Sequence, residues 1–208
     1  WPSWANIIGL NFEKFYNFGQ PGSGMFFMIY QFVFGNEYFK FNKNDTLIFM
    51  LSDEARVDII KNKEWLTTGL VFNSKEIFGD KFFNHYSETH AVESSYIYVY
   101  LLKEMLDNIG CNYEIIYAFP PFFENTMGLF DKSIKNIWNK KHKLTNSNIE
   151  SLTTFSQKIN DNSYNLINDI TKEKYKDGHS TILTHLKYVK TYLSEYYDTK
   201  HDSIVMDW

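Results

Sequence analysis

The sequence predicts an α/β fold built on a parallel sheet, and three observations carry that prediction. Asp45 to Leu51 is a continuous apolar run that follows a polar Asn/Lys/Asp cluster. A parallel strand covered on both faces reads this way. Tyr113 to Phe119 is a second such run, closed by Pro120 and Pro121. Between the two runs, Val92, Tyr96, Val99, Leu102, Leu106 and Ile109 recur at helical spacing. Strand, helix and strand in alternation argue for parallel pairing.

The remaining elements follow in order. Phe12 to Phe18 alternates in part and then breaks at Gly19, Pro21, Gly22 and Gly24. This predicts a short strand and a glycine-rich turn. Met25 to Phe39 is apolar nearly all round, which predicts a well-buried helix. The Asp45–Leu51 strand stops abruptly at Ser52, Asp53 and Glu54. Polar residues at the carboxyl end of such a strand stand where open α/β sheets place their sites. Gly110 fits the position just past the end of the middle helix. From Phe122 to Lys176 the periodicity is weak, and the basic stretch Lys135 to Lys143 reads as a solvated helix face rather than a phosphate site. A last helix is expected from Thr181 to Tyr197, with Ile182, Leu186, Val189, Leu193 and Tyr196 on one face and Ser180 as N-cap.

The chain has 208 residues, the length of one domain, and 44% apolar and 19% aromatic content excludes a disordered chain. There is no internal repeat. A net charge of −4 gives no sign of a nucleic-acid or membrane binder. The longest nearly apolar run, Met25 to Phe34, contains Gln31 and is too short to span a bilayer. No signal-peptide pattern is visible. Cys111 is the only cysteine, so there is neither an intrachain disulfide nor a Cys-rich zinc site, and no metal is expected.

The basic residues are unusual. Of 21, all but Arg56 are lysine, alongside 20 Asn, 19 Phe and 15 Tyr. This bias fits A/T-rich coding rather than a binding signal. An arginine that persists against it is a site candidate, the competing reading being one exposed cation among many. Its place just past a buried strand favours a site role.

Two local patterns bear chemistry. In Asp177-Gly178-His179-Ser180, an Asp two residues before a His can hold the imidazole from behind. Such a carboxylate fixes the tautomer and supports the imidazolium. Taken alone, the pattern reads first as a helix-starting turn with an exposed His. Asn17-Phe18-Gly19-Gln20-Pro21-Gly22-Ser23-Gly24 lets backbone approach a ligand, and free N–H groups at the following helix start would stabilise an oxyanion. It is neither a Walker A loop nor a dinucleotide fingerprint. His85 and His90 are five apart and do not share a helical face as zinc ligands would, so they read as surface residues. Trp65, Trp138 and Trp208 read as packing residues.

Taken in order, these features resemble the SGNH (GDSL-like) hydrolases. The resembling features are Trp1-Pro2-Ser3-Trp4, the Asn-x-Gly-x-x-Gly turn, a buried strand ending in polar residues, and Asp-x-His before the last helix. The resemblance implies a three-layer α/β/α, flavodoxin-like sheet. It also implies a serine esterase acting on O-acyl groups, often acetyl groups of carbohydrates, without a cofactor. It assigns His179 as base, Asp177 as its orienting acid, and Gly22 as an oxyanion-hole donor. Where the family has an Asn donor, this chain has Glu54, and an ionised carboxylate donates nothing. Ser52 and Arg56 fit a variant of that block, with Arg56 lending positive charge to an oxyanion or a substrate carboxylate.

The Gly-Asp-Ser block that carries the family's nucleophile is absent from the 208 residues. Neither Ser3 nor Ser23 lies at the end of a buried strand, and no G-x-S-x-G elbow replaces the block. In this sheet the first strand is central, and its loss would leave rows of backbone groups unpaired. The natural protein is therefore expected to be longer, with residues 1–208 most of a single domain lacking its N-terminal strand. The alternative is a non-catalytic module that binds glycans or builds a virion or cell surface, in association with other proteins there. Phage or viral origin fits the composition, and the location is left open between cytoplasm and virion.

Overall fold

Strands and helices alternate along the middle of the chain in a computed structural model, which describes residues 3–20, 22–54, 56–70, 88–118, 136–137, 139–141, 143–146, 149–159, 164–167, 174–177 and 181–206. The residues group into two units, Phe18–Ile149 and the combination of Trp1–Asn17 with Glu150–Trp208. The fold is mixed α/β with a small parallel sheet.

In the Phe18–Ile149 unit, helix α2 (Met25–Phe39) leads to strand β1 (Thr46–Leu51), followed by the hairpin β2 (Arg56–Lys61) and β3 (Glu64–Leu70). Helix α3 (Glu88–Ile109) then leads to β4 (Asn112–Tyr117). Strands β1 and β4 pair in parallel, from Thr46 opposite Asn112 to Leu51 opposite Tyr117. Their carboxyl ends therefore lie side by side, and the Ala118 N–H donates to the Leu51 carbonyl at 3.0 Å. Met25 and Phe32 of α2, Phe49 and Leu51 of β1, Val99, Leu102 and Leu106 of α3, and Ile115 of β4 form one core cluster. Gly110 sits at φ +72° after α3, and its N–H closes on the Leu106 carbonyl, as expected of a C′ glycine.

Helix α2 departs from expectation in its burial. Met25, Phe27 and Phe32 are buried, but Phe34 is 50% and Tyr38 81% exposed. The apolar sequence all round the helix exceeds what one core face can cover. Trp65 behaves as a packing residue, with its ring against Phe26, Phe27 and Tyr30. The β2–β3 hairpin is not among the elements expected from sequence. It turns on Asn62 and Lys63, both at positive φ, the signature of a tight two-residue hairpin turn.

The other unit begins before the expected first strand. Helix α1 (Trp4–Gly9) packs on helix α5 (Ile182–Tyr192), and the Trp4 N–H donates to His185 Nδ1 at 3.2 Å. Residues 12–18 are not a strand. Partial alternation makes a strand only where another strand offers a ladder, and none lies beside them among the described residues. Helix α4 (Leu152–Lys158) brings Phe155 against Tyr188 and Tyr192 of α5. Strands β5 (Tyr164–Ile167) and β6 (Lys174–Asp177) pair antiparallel. The last long helix is shorter than expected. Thr181 is its N-cap, its side chain accepting the Thr184 N–H, and the helix ends at Tyr192. Ser180, the expected cap, lies outside the described residues. Helix α6 (Asp202–Met206) closes the chain.

Candidate functional site

Several polar residues stand at the carboxyl ends of β1 and β4 in the Phe18–Ile149 unit. Ser52, Asp53 and Glu54 follow β1, and Tyr117 closes β4. Glu54 does not face water. It is 7% exposed and pairs with Lys141, which lies in a helical turn and is fully buried. The Lys141 ammonium also lies 5.4 Å from the centre of the Tyr117 ring. Burial pushes the Lys141 pKa below its ordinary 10.5, against the pull of Glu54 and Asp53. The expectation that residues 135–143 form a solvated face therefore fails at Lys141. One lysine of that basic stretch turns inward because a buried carboxylate 87 residues earlier accepts it. The Ser52 hydroxyl oxygen is buried and has no hydrogen-bond partner among the described residues.

The glycine turn meets the same strand-end segment. Gly22 adopts φ +78°, a conformation that favours glycine. Ser23 N–H closes the turn on the Gln20 carbonyl at 3.2 Å. Gly24 is the N-cap of α2 and has no side chain with which to cap. Asp58 of β2 supplies the cap instead. Its Oδ1 accepts the Gly24 N–H at 2.7 Å and its Oδ2 the Phe27 N–H at 2.8 Å. One carboxylate thus satisfies both donors that a capping box would share between two side chains. A break in register between Arg56 and Asp58 aims the carboxylate, as bulges do.

Close approach explains Gly24. A Cβ there would lie 2.8 Å from both the Arg56 carbonyl oxygen and Asp58 Oδ2. Burial pushes the Asp58 carboxyl above its ordinary 3.8, outweighing the Gly24 and Phe27 amides and the Arg56 charge that pull it down. This corrects the expectation of free amides at the helix start. Gly24 and Phe27 already serve Asp58, and Gly22 is not among the amides that Asp58 takes.

The remaining predicted residues are distributed as follows. Arg56 opens β2, half-buried, with its N–H on the Asp53 carbonyl at 3.2 Å. Asp177 ends β6 opposite Tyr164, so it lies on a strand rather than in a turn. His179 lies outside the described residues, as do His85, Trp138 and Trp208. His90 is exposed beside Ser94, at 3.3 Å. Gly22, Ser52 and Arg56 thus belong to one unit, and Asp177 to the other.

Asp58 and Lys141 are the site residues that sequence reasoning missed. A signal for Asp58 was present, since a helix starting on Gly needs an acceptor from elsewhere. Lys141 carried none. Among the described residues no cluster of His, Cys, Asp and Glu could hold a metal, and no helix is long and apolar enough to cross a membrane. The geometry defines an α/β module with a polar, partly buried strand-end cluster tied to a glycine turn. No protein family, curated protein or solved structure matches the chain.

Proposed function

We propose that the chain is an SGNH-type module of a serine esterase that removes O-acyl groups, acetyl above all, from carbohydrates. The supporting observation is the junction of the glycine turn with the segment after β1. Gly24 lies against Arg56 and is bonded to Asp58, although 34 residues separate Gly24 from Asp58. The family resemblance requires those two segments at one catalytic edge.

In this reading a serine supplied by the Gly-Asp-Ser block attacks the acyl carbonyl. His179 takes the serine proton and returns it to the leaving alcohol, with Asp177 orienting the ring. The Gly22 N–H, with Ser52 or Arg56, faces the oxyanion, and water then frees the acid. No metal or organic cofactor takes part. The association with acylated carbohydrate follows from the same resemblance.

One observation favours the second reading, a non-catalytic glycan-binding or surface module. Glu54 stands where the family's oxyanion Asn stands, and it is committed to Lys141. Hydrolysis of p-nitrophenyl acetate by the full natural protein separates the two. The esterase reading expects turnover that His179→Ala lowers by about 100-fold or more, the scale of a lost general base. Equal rates in the two proteins overturn it.

A further inference from the structure

We propose that Asp58 is a positioning residue that clamps the Gly22–Gly24 turn through the Gly24 and Phe27 amides. Its catalytic consequence rests on the esterase reading; the clamp itself does not. Anchoring the Gly24 N–H fixes the planar Ser23–Gly24 peptide. The Ser23 N–H is in turn held by the Gln20 carbonyl. Gly22 therefore has a bonded peptide directly after it. The Arg56 carbonyl oxygen and Asp58 Oδ2 both lie where a Gly24 Cβ would stand, so a glycine is what lets the turn come this close to β2.

The clamp depends on an ionised carboxylate. Each Asp58 oxygen accepts one N–H. A carboxylic acid carries an O–H, and neither amide can accept it, so protonation sacrifices one of the two bonds. Among the described residues, the charged and titratable groups that act on Asp58 are few. Arg56 on its own strand favours ionisation, and Tyr98 of α3 lies near enough to feel the Asp58 charge. The first turn of α2 (Met25, Phe26, Phe27, Met28) carries no titratable side chain, and β3 places Thr67 opposite. Because burial raises the Asp58 pKa, the clamp opens on acidification at a higher pH than an ordinary carboxylate would give.

The test is an NMR titration of the backbone amides of the full protein from about pH 7 downwards, with ester kcat and KM measured in parallel. The variants are Asp58→Asn, which keeps the shape, and Asp58→Ala. In the wild type, Gly24 and Phe27 are expected to share one transition with a midpoint above 3.8, and Gly22 to follow it. In Asp58→Asn that transition disappears, and Gly24 and Phe27 exchange about tenfold faster, the loss of roughly one net hydrogen bond. The same variant lowers kcat about tenfold with KM nearly unchanged, as a misplaced donor would. A transition that persists in Asp58→Asn, or a Gly22 amide that ignores it, overturns the clamp. A wild type without esterase activity overturns the functional reading alone, because the amide titration still decides the clamp.

Discussion

The Glu54–Lys141 pair offers the sharpest test of how the strand-end cluster is held. The Lys141 side chain is fully buried and the Glu54 side chain 2% exposed. Replacing Glu54 by Gln leaves an ammonium without its counter-charge, and breaking such a pair costs about 3–5 kcal/mol. The Tyr117 ring retains part of that, on the order of 0.5–2 kcal/mol as a cation–π contact. Lys141→Met strands the carboxylate instead and is expected to fall in the same range. The double variant Glu54→Gln/Lys141→Met removes both charges and should recover most of the loss, to within about 1–2 kcal/mol of wild type.

The pH dependence has a definite sign. Burial lowers the Lys141 pKa below 10.5, so between the folded value and 10.5 the unfolded chain binds more protons than the folded one. Stability attributable to Lys141 therefore rises with pH across that window, and the rise vanishes in Lys141→Met. Urea unfolding followed by circular dichroism, for the four proteins at several pH values, measures all of this. Single variants that each cost less than about 1 kcal/mol, or a double variant as damaged as the sum, would refute the buried-pair argument.

Two further substitutions test local geometry. Gly24→Ala places a Cβ 2.8 Å from the Arg56 carbonyl and should cost roughly 1–3 kcal/mol through backbone displacement, whereas Gly110→Ala meets open space and bears only the left-handed strain of about 1–2 kcal/mol. Denaturant melts rank them, and a Gly24→Ala variant as stable as wild type would sink the close-approach account. Thr181→Ala removes the acceptor of the Thr184 N–H and should cost about 0.5–2 kcal/mol, while Thr181→Ser should lose little. Thermal unfolding of the pair checks it, and a Ser variant as unstable as Ala would refute the capping role.

Local signals were the readable ones. The β1 and β4 runs, helices α2 and α3 and the Gly110 stop follow from apolar spacing and one glycine, so their positions emerge within a residue or two, with only the first turn of α3 extending further. The Phe12–Phe18 alternation misled because a strand is defined by its neighbour, not by its own pattern. The β2–β3 hairpin escaped because its Asn62-Lys63 turn lacks the glycine that marks the common two-residue hairpin turns. At the site, Gly22, Ser52 and Arg56 were legible as residue types past a buried strand. The partners Asp58 and Lys141 were not, since a cap supplied by another strand and a lysine drawn inward are decided by tertiary contact.

The segment from Ser52 to Asp58 holds one buried and one half-buried carboxylate by different means, and the difference matters for what the edge can do. Glu54 is balanced by a mobile proton carrier, the Lys141 ammonium. Asp58 is balanced by two fixed amides and by Arg56. A guanidinium stays charged at every accessible pH, whereas a buried lysine titrates readily. The Glu54–Lys141 pair therefore responds to rising pH. Acidification opens the glycine turn, and rising pH releases the Lys141 charge beside the Tyr117 ring. Between those limits the turn and the strand end are held by bonds already made. On the proposed esterase reading, an oxyanion at Gly22 would meet a donor set in place before the ligand arrives, the condition under which such donors stabilise developing charge most.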